Sequence, residues 1–249
     1  MRIIFSRKGF DSASGGKPSP IINNVPVSLP IPSGPDEPYR YGELNHPVAG
    51  NMGDVVSAHT NGNITRHTHA HADPVLSWEQ GPCALGQNGA AAAHLHNQGV
   101  DVGDVFVFFG LFASKEHKKH HRIFGMMTVE QICKPGANPK GWKAYGLTTP
   151  HPHTDRPHQS PQNTLYIGTG QMAHNAHNAL RLSTQTMPSL WQVPPWLTRC
   201  GLSYHNNPDR WSHNTLKLVG RGQEFVSHVG DDQEAKNWIS HIRTCLAKT

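Results

Sequence analysis

Several features that would narrow the function of this chain are scarce or missing. Hydrophobic residues make up only 36% of the sequence and charged residues only 16%, and both fractions are low for a globular protein. No stretch is apolar over a membrane-spanning length, and the N-terminal residues hold no apolar run of signal-peptide length. We therefore expect a soluble protein of the cytoplasm that has no contact with a membrane.

Pairs of closely spaced cysteines are missing as well. The cysteines lie far apart in the sequence, and no two of them form a CxxC pair. This spacing argues against a disulfide framework and against a structural zinc knuckle. We expect buried free thiols in a reducing compartment at Cys83, Cys133, Cys200 and Cys245.

The composition is instead rich in three residue types, with 24 Gly, 20 Pro and 19 His. It favours short strands and long ordered loops over a helical bundle. The formal net charge is +5, which suits a partner that carries phosphate. A basic surface without a nucleic-acid partner explains the same charge equally well.

Apolar runs predict a sheet. Residues 2–6 (RIIFS) predict a short buried strand, and residues 105–109 (VFVFF) predict a strand buried on both faces. Residues 122–132 predict the returning strand, which follows a charged hairpin loop. The sequence therefore predicts an α+β fold with a mainly antiparallel, barrel-like sheet similar in pattern to PUA-like barrels.

Two helices are expected beside this sheet. The alanine-rich residues 86–99 predict a short helix that ends at a glycine. Apolar residues recur at helical spacing over residues 235–246, which predicts an amphipathic C-terminal helix packed on the body of the fold. Neither a repeat nor a linker divides the sequence, so we expect a single domain over residues 1–249.

The loop after the first strand, SRKGFDSASGGKPSP, combines cations, hydroxyl groups and a pair of glycines. Backbone amides in such a loop can surround an anion, and Arg7, Lys8 and Lys17 can neutralise it. The segment matches neither GxGxxG nor the Walker A motif. It predicts contact with a phosphate or another part of a substrate, with a flexible surface loop as the alternative.

The segment RHTHAHADP contains alternating histidines. On an extended backbone His67, His69 and His71 point to one face, and Asp73 follows two residues later. Such clusters can bind a metal ion such as zinc or iron. No spacing matches HExxH, and solvated or hydrogen-bonded histidines are the alternative in a chain this rich in them. The candidate metal ligands are His67, His69, His71, His151 and His153.

Two segments near the C-terminus place polar residues beside large apolar ones. In LSYHNNPDRW, His205 could act as an acid or base, and Arg210 could bind a phosphate or carboxylate. In RGQEFV, Glu224 precedes an apolar pair, where an unpaired buried charge is costly. Glu224 could bind a ribose hydroxyl or act as a general base, and a structural ion pair with Arg7 or Arg221 is the alternative.

Taken together, these segments resemble one family. The stretches SRKGFDSASGGKPSPI, GQNGAAAAHLHNQGVDVGDVFVFFGLF, HPH before NTLYIG, LSYHNNPDRW and RGQEFV are similar to the nucleotide modification associated domain 3 family. The resemblance covers nearly the whole chain and implies an association with phage and bacterial systems that modify bases in nucleic acid. The positions that match the family's polar motifs are Arg7, Lys8, Asp11, Ser12, His71, Asp73, Gln87, His151, His153, His205, Arg210, Gln223 and Glu224.

Three classes of function remain open. The first is an enzyme that modifies a nucleotide or nucleobase in a DNA or nucleotide modification pathway. A variant of this class is an ADP-ribosyl- or glycosyl-type transferase that uses Glu224. The second is a non-catalytic PUA-like reader of modified nucleic acid, and the third is a metal-dependent hydrolase or oxygenase. We expect a nucleotide or nucleic acid as partner, with DNA favoured, and a divalent metal or a nucleotide co-substrate as candidate cofactor.

The enzyme hypothesis assigns two sets of roles. The candidate catalytic residues are Glu224, His205, Asp73 and His71. The candidate residues for substrate or phosphate binding are Arg7, Lys8, Asp11, Ser12, Lys17, Gln87, Arg210 and Gln223.

Overall fold

A computed structural model describes residues 1–11, 13–115, 118–157, 160–220 and 222–247. The strands β1 to β16 are, in chain order, Arg2–Arg7, Ser19–Ile22, Val25–Pro26, Ile31–Ser33, Tyr39–Arg40, Asn45–His46, Gly50–Asn51, His69–His71, Gly81–Gln87, Val105–Ala113, His120–Cys133, Thr164–Met172, Leu190–Gln192, Trp211–Ser212, Thr215–Lys217 and Glu224–His228. The helices α1 to α5 are Met52–His59, Gly89–Asn97, Pro152–Asp155, Pro195–Cys200 and Gln233–Ala247. Short 3₁₀ helices span Tyr41–Glu43, Trp142–Tyr145, Asn178–Leu180 and Pro208–Arg210.

The main sheet has the strand order β16-β1-β10-β11-β12-β9, with β2 beside β10 and β3 beside β2. Strand β1 runs parallel to β10, whereas β16, β11, β12 and β9 each run antiparallel to their neighbours on this path. The fold is therefore α+β with a mixed sheet and a packed C-terminal helix, as the α+β part of the prediction stated.

The expected barrel does not close through backbone pairing. In the described part of the chain, β16 and β9 form the two ends of the strand order and do not pair with each other. The sheet still curls far enough that the Gln87 side chain, at the end of β9, donates to Glu224, at the start of β16, over 2.6 Å. A barrel-like or PUA-like arrangement is thus not confirmed, and side chains rather than a ladder connect the two edges.

Strand β10 lies at the centre of the sheet because its β-branched and aromatic residues bury both of its faces. On one face Val105, Val107 and Phe109 pack in a cluster with Trp191 and the apolar stripe of α5. On the other face Phe106 and Phe108 pack in a cluster that includes residues of β9 and α2. The predicted strand pair and the predicted C-terminal helix are confirmed in position.

A smaller region covers one end of the main sheet. Strands β4 and β5 flank β8 in a three-stranded sheet, and β8 ends two residues before Asp73. A separate apolar cluster, which includes Phe10, Tyr41 and Val56, holds this region together. It also contains α1, and Asn51 caps this helix by accepting from the amide of Gly53.

The sequence argues against a disulfide framework and against a membrane-spanning segment. All four cysteines are free thiols, and Cys83 and Cys245 are buried. Among the described residues, no helix combines the length and the apolar character that crossing a bilayer requires.

Candidate functional site

A polar cleft of about 520 Å³ opens where the smaller region meets the end of the main sheet. It lies within the size range of pockets that bind small molecules. Its described lining contains no Phe, Tyr or Trp, and histidine supplies its only aromatic rings. The lining residues are Arg7, Lys8, Gly9, Asp11, Ala13, Ser14, Ile31, Ser33, His71, Asp73, Gly86, Gln87, Asn88, His153, Arg156, Gly220, Gly222 and Gln223.

The floor of the cleft holds a buried lysine between two carboxylates. Lys8 follows β1 directly, and its Nζ lies 3.3 Å from Oε1 of Glu224 and 3.8 Å from Oδ2 of Asp73. Strand pairing sets Ser6 opposite Glu224, so that the Ser6 hydroxyl donates to the same Oε1 over 3.0 Å. The Gln87 side chain also donates to Oε1, so residues from β1, β9 and β16 meet at this oxygen.

The two carboxylates of this cluster respond differently to burial. Burial raises the pKa of Glu224 above its ordinary value, although Lys8 and Ser6 oppose the shift. Burial acts the same way on Asp73, but His151 and Lys8 outweigh it and hold the pKa of Asp73 below its ordinary value. Asp73 is therefore a fixed anion, whereas Glu224 takes up a proton more readily.

Asp73 is positioned by its neighbours on both sides. Its Oδ1 accepts from the backbone amide of Gly86 over 2.9 Å and lies 3.2 Å from Nε2 of His151. Its Oδ2 faces Lys8 and, at 4.0 Å, Nε2 of His71. The Asp73 side chain is only 2% exposed, so these contacts replace its water.

Two histidines of the cleft are held through their Nδ1 atoms. Nδ1 of His71 lies 2.9 Å from Oε1 of the buried Glu37, which also contacts Arg156 at 3.2 Å. Nδ1 of His153 lies 2.7 Å from Oδ1 of Asn163. Burial lowers the pKa of His153 to about 3, so this ring is neutral at physiological pH. One ligand atom from each of His71, Asp73 and His153 lies within 4.8 Å of the others.

Most of the residues proposed from sequence meet at this cleft. The lining includes Arg7, Lys8, Asp11, His71, Asp73, Gln87, His153 and Gln223. Glu224 and His151 lie directly behind it, through their contacts with Lys8 and Asp73. Ser12 and Arg221 lie outside the described residues. The partner of Glu224 is Lys8 and not Arg7, whose guanidinium donates to the carbonyls of Val219 and Gly220.

Asp11 and Gln223 line the cleft but also have local backbone roles. The Asp11 carboxylate accepts from the amides of Ala13 and Ser14, which shapes the loop after β1. The Gln223 carbonyl accepts from the Arg7 amide over 2.7 Å. These contacts fix the rim of the cleft.

His205, which the sequence proposed as an acid or base, does not belong to the cleft lining. It is buried, and both ring nitrogens contact the backbone: Nδ1 lies 2.8 Å from the Ser203 carbonyl, and Nε2 accepts from the Val219 amide over 3.1 Å. Burial lowers the pKa of His205. Through these two contacts the ring anchors the segment before Gly220.

Four other candidates also lie away from the cleft lining. Lys17 donates to the His59 carbonyl and Arg210 to the Lys217 carbonyl, and both of these bonds are exposed. His67 lies in an exposed turn before β8, so the three histidines do not share one strand face. His69 is in β8, but its ring contacts the Glu37 carbonyl and Arg40.

Sequence reasoning missed Glu37, Arg156 and Asn163. Glu37 lies in a Pro- and Gly-rich segment, and no local pattern shows that its side chain is fully buried. Arg156 lies three residues after His153, and Asn163 directly precedes β12. For Arg156 and Asn163, the sequence contains only one signal, which is that they follow the HPH motif of residues 151–153.

A second cavity, of about 470 Å³, lies beside α2. The rings of His94 and Tyr204 stack in its lining, with centroids 4.3 Å apart. None of its described lining residues belongs to an ion pair. The charged cleft is therefore the stronger candidate for a reaction site.

Comparison with known proteins gives one match. No curated protein and no solved structure matches the chain. The family model for nucleotide modification associated domain 3 matches residues 2–228, which include every described residue of the cleft and of the cluster beneath it. The chain therefore belongs to the nucleotide modification associated domain 3 family.

Proposed function

We propose that this protein is an enzyme that modifies a nucleotide or nucleobase and that the polar cleft is its reaction site. The name of its family supports a role in nucleotide modification. The observation that carries the proposal is the buried cluster of Lys8, Asp73 and Glu224 at the floor of the cleft. Perturbed and buried ionisable groups concentrate at catalytic sites because chemistry needs them there despite their cost to stability.

The cluster is not arranged for stability alone. Oε2 of Glu224 is buried and has no hydrogen-bond partner within the described part of the chain. Leaving a buried oxygen of this kind unpaired costs about 1–3 kcal/mol. A purely structural network would be expected to satisfy both oxygens, so a functional use of the acid is the better explanation.

The cleft also offers groups that suit a phosphate. Lys8 and Arg156 supply cations, and α2 begins at Gly89, next to the lining residues Gln87 and Asn88. Helix N-termini and glycine-containing turns present backbone amides to anions. We assign phosphate contact to these groups and the chemistry to His71, Asp73 and His153. The net charge of +5 is compatible with DNA as the carrier of the nucleotide.

Two alternatives have less support. A reader of modified bases would stack the base on aromatic side chains, and the described lining has only imidazole rings. A transferase that uses Glu224 as nucleophile or base needs access to it, but its side chain is 1% exposed. We assign Glu224 the role of positioning Lys8 and Gln87.

The proposal is tested by mass spectrometry of nucleosides digested from the DNA and RNA of cells that express the wild-type chain, Asp73→Asn or His69→Gln. Asp73→Asn removes the fixed anion of the site, and His69→Gln is the matched control on the neighbouring strand. We expect a new nucleoside with the wild type and with His69→Gln, and its loss with Asp73→Asn. Identical profiles from the wild type and Asp73→Asn would contradict the proposal.

A further inference from the structure

We propose that His71, Asp73 and His153 bind a divalent first-row transition metal ion at the floor of the cleft. Their ligand atoms lie within 4.8 Å of one another. Metal–ligand bonds of about 2.1 Å hold the ligand atoms roughly 3–4 Å apart, so binding requires side-chain movements of about 1 Å. This site deepens the proposed function, but metal binding is measured without any nucleotide and can fail independently.

The contacts of His71 direct a lone pair into the site. Its Nδ1 lies 2.9 Å from a carboxylate oxygen of Glu37, which can only accept, so Nδ1 carries the proton. Nε2 then bears the lone pair, and this atom faces Asp73. A carboxylate behind a histidine is the usual support of a metal ligand, because it fixes the tautomer and makes the ring more basic.

The contacts of His153 have the same effect. The Asn163 amide nitrogen donates to the carbonyls of Gly136 and His153, which identifies Oδ1 as the acceptor end of that side chain. Nδ1 of His153 therefore donates to Oδ1, and the lone pair is on Nε2. Two imidazoles thus present unprotonated Nε2 atoms from different parts of the chain.

His151 orients the carboxylate and is not itself a ligand. Its Nδ1 accepts from the His153 amide over 3.2 Å, which directs Nε2 toward Asp73, 3.2 Å from Oδ1. The Gly86 amide donates to this same oxygen. The arrangement leaves Oδ2, on the side of His71, as the metal ligand.

The carboxylates of the site offset its cations, which makes the binding of a dication feasible. The cations of the described cleft are Arg7, Lys8 and Arg156. The carboxylates in or directly behind it are Asp11, Glu37, Asp73 and Glu224. Even with Glu224 protonated these charges only cancel, so a divalent ion would make the cleft positive and attractive to a phosphate.

The donor set narrows the class of metal. Two imidazoles and one carboxylate suit Zn²⁺ and Fe²⁺ better than Mg²⁺ or Ca²⁺, which prefer oxygen ligands. All three side chains line the cleft, so the remaining coordination positions of the ion would open toward a ligand. The site is accordingly of the open type found in catalysis and not a closed structural site.

The test is a titration of the chelator-treated and dialysed chain with Zn²⁺ by calorimetry and with Co²⁺ by visible absorption. We expect one tight site in the wild type, at least 100-fold weaker binding in His71→Gln, and roughly 10–100-fold weaker binding in Glu37→Gln. His67→Gln and His69→Gln are matched controls for nonspecific binding by a histidine-rich chain, and both should keep wild-type affinity. Circular dichroism establishes that each variant is folded.

Wild-type affinity in His71→Gln, or an equal loss in His69→Gln, would overturn the proposal. X-ray absorption on the zinc-loaded wild type gives a reading that depends on no variant. Two imidazole nitrogens with additional oxygen ligands would support the site. Sulfur ligands, or four imidazoles, would overturn it.

Discussion

The two walls of the cleft each bury a glutamate, and the two acids are tuned in opposite directions. Burial raises the pKa of Glu224, and the contacts of Lys8 and Ser6 do not compensate. Burial also acts to raise the pKa of Glu37, but the hydrogen bond and charge of His71, with Arg156 and Ser33, outweigh it and lower its pKa. The main-sheet wall therefore holds an acid that takes up a proton more readily than usual, and the opposite wall holds an anion that orients a histidine. Each acid is contacted by three donor side chains, so the balance between burial and these contacts, and not their number, sets the direction of each pKa shift.

The largest effect is expected from removing the lysine on the main-sheet wall. Lys8→Gln leaves Asp73 and Glu224 without their cation, and breaking a buried ion pair costs about 3–5 kcal/mol. Urea unfolding measures the loss. Lys17→Gln is the matched control, because this exposed lysine of the same loop should change stability by about 0.5 kcal/mol at most.

The double variant Lys8→Gln/Glu224→Gln sharpens this prediction. The double variant removes one of the two carboxylates that Lys8→Gln leaves without a cation. It should therefore recover part of the stability that Lys8→Gln loses. Equal stability of Lys8→Gln and Lys17→Gln would show that the cluster is solvated and not buried.

A smaller effect is expected from crowding the opposite side of the site. A Cβ at Gly86 would come within 2.0 Å of the His153 ring, so Gly86→Ala must displace the imidazole. Such overpacking costs about 1–3 kcal/mol, and we expect metal binding to weaken with it. Thermal unfolding and the Zn²⁺ titration measure the two losses.

Gly34→Ala provides the control for this substitution. A Cβ at Gly34 would meet no heavy atom within 4 Å, so both stability and metal binding should stay near the wild-type values. If Gly86→Ala behaves like Gly34→Ala, then His153 does not occupy the position that the proposed metal site requires.

The smallest expected effect is a pH dependence of the stability difference between the wild type and Glu224→Gln. Because folding raises the pKa of Glu224 above 4.5, the folded state binds the proton more tightly than the unfolded state. The stability of the wild type relative to Glu224→Gln is therefore greatest below pH 4.5. It declines as the pH rises from there through the folded-state pKa. Urea unfolding of both proteins across this range measures the difference, and a difference that grows with pH would show that the pKa is lowered.

The parts of the fold that the sequence predicts are those with strong local patterns. The run of residues 105–109 is apolar at every position, so it specifies a strand with two buried faces whatever its neighbours are. The helix α1 has no comparable signal, because only eight residues form it and its apolar positions are few. Whether the sheet closes into a barrel could not be predicted either, because closure depends on the curvature of the sheet and not on local sequence.

The site was predictable only in its residue types. Glu224 stands out because an acid beside an apolar pair is expensive to bury, and His71 and Asp73 stand out because they end a run of alternating histidines. Their convergence depends on pairing between β1 and β16, whose residues Ser6 and Glu224 are far apart in sequence. His205 has the same local appearance, but the backbone occupies both of its ring nitrogens, and only the fold reveals this.

The central claim is that the charged cleft, and not the cavity beside α2, holds the nucleotide. Hydrogen–deuterium exchange of the full chain, with and without each of the four 2′-deoxynucleoside 5′-monophosphates in the presence of Zn²⁺, compares the two directly. We predict slower exchange at residues 86–88 and 222–223 on the cleft, and unchanged exchange at residues 201–204 beside the second cavity. Protection of residues 201–204 with unchanged exchange in the cleft would contradict the account.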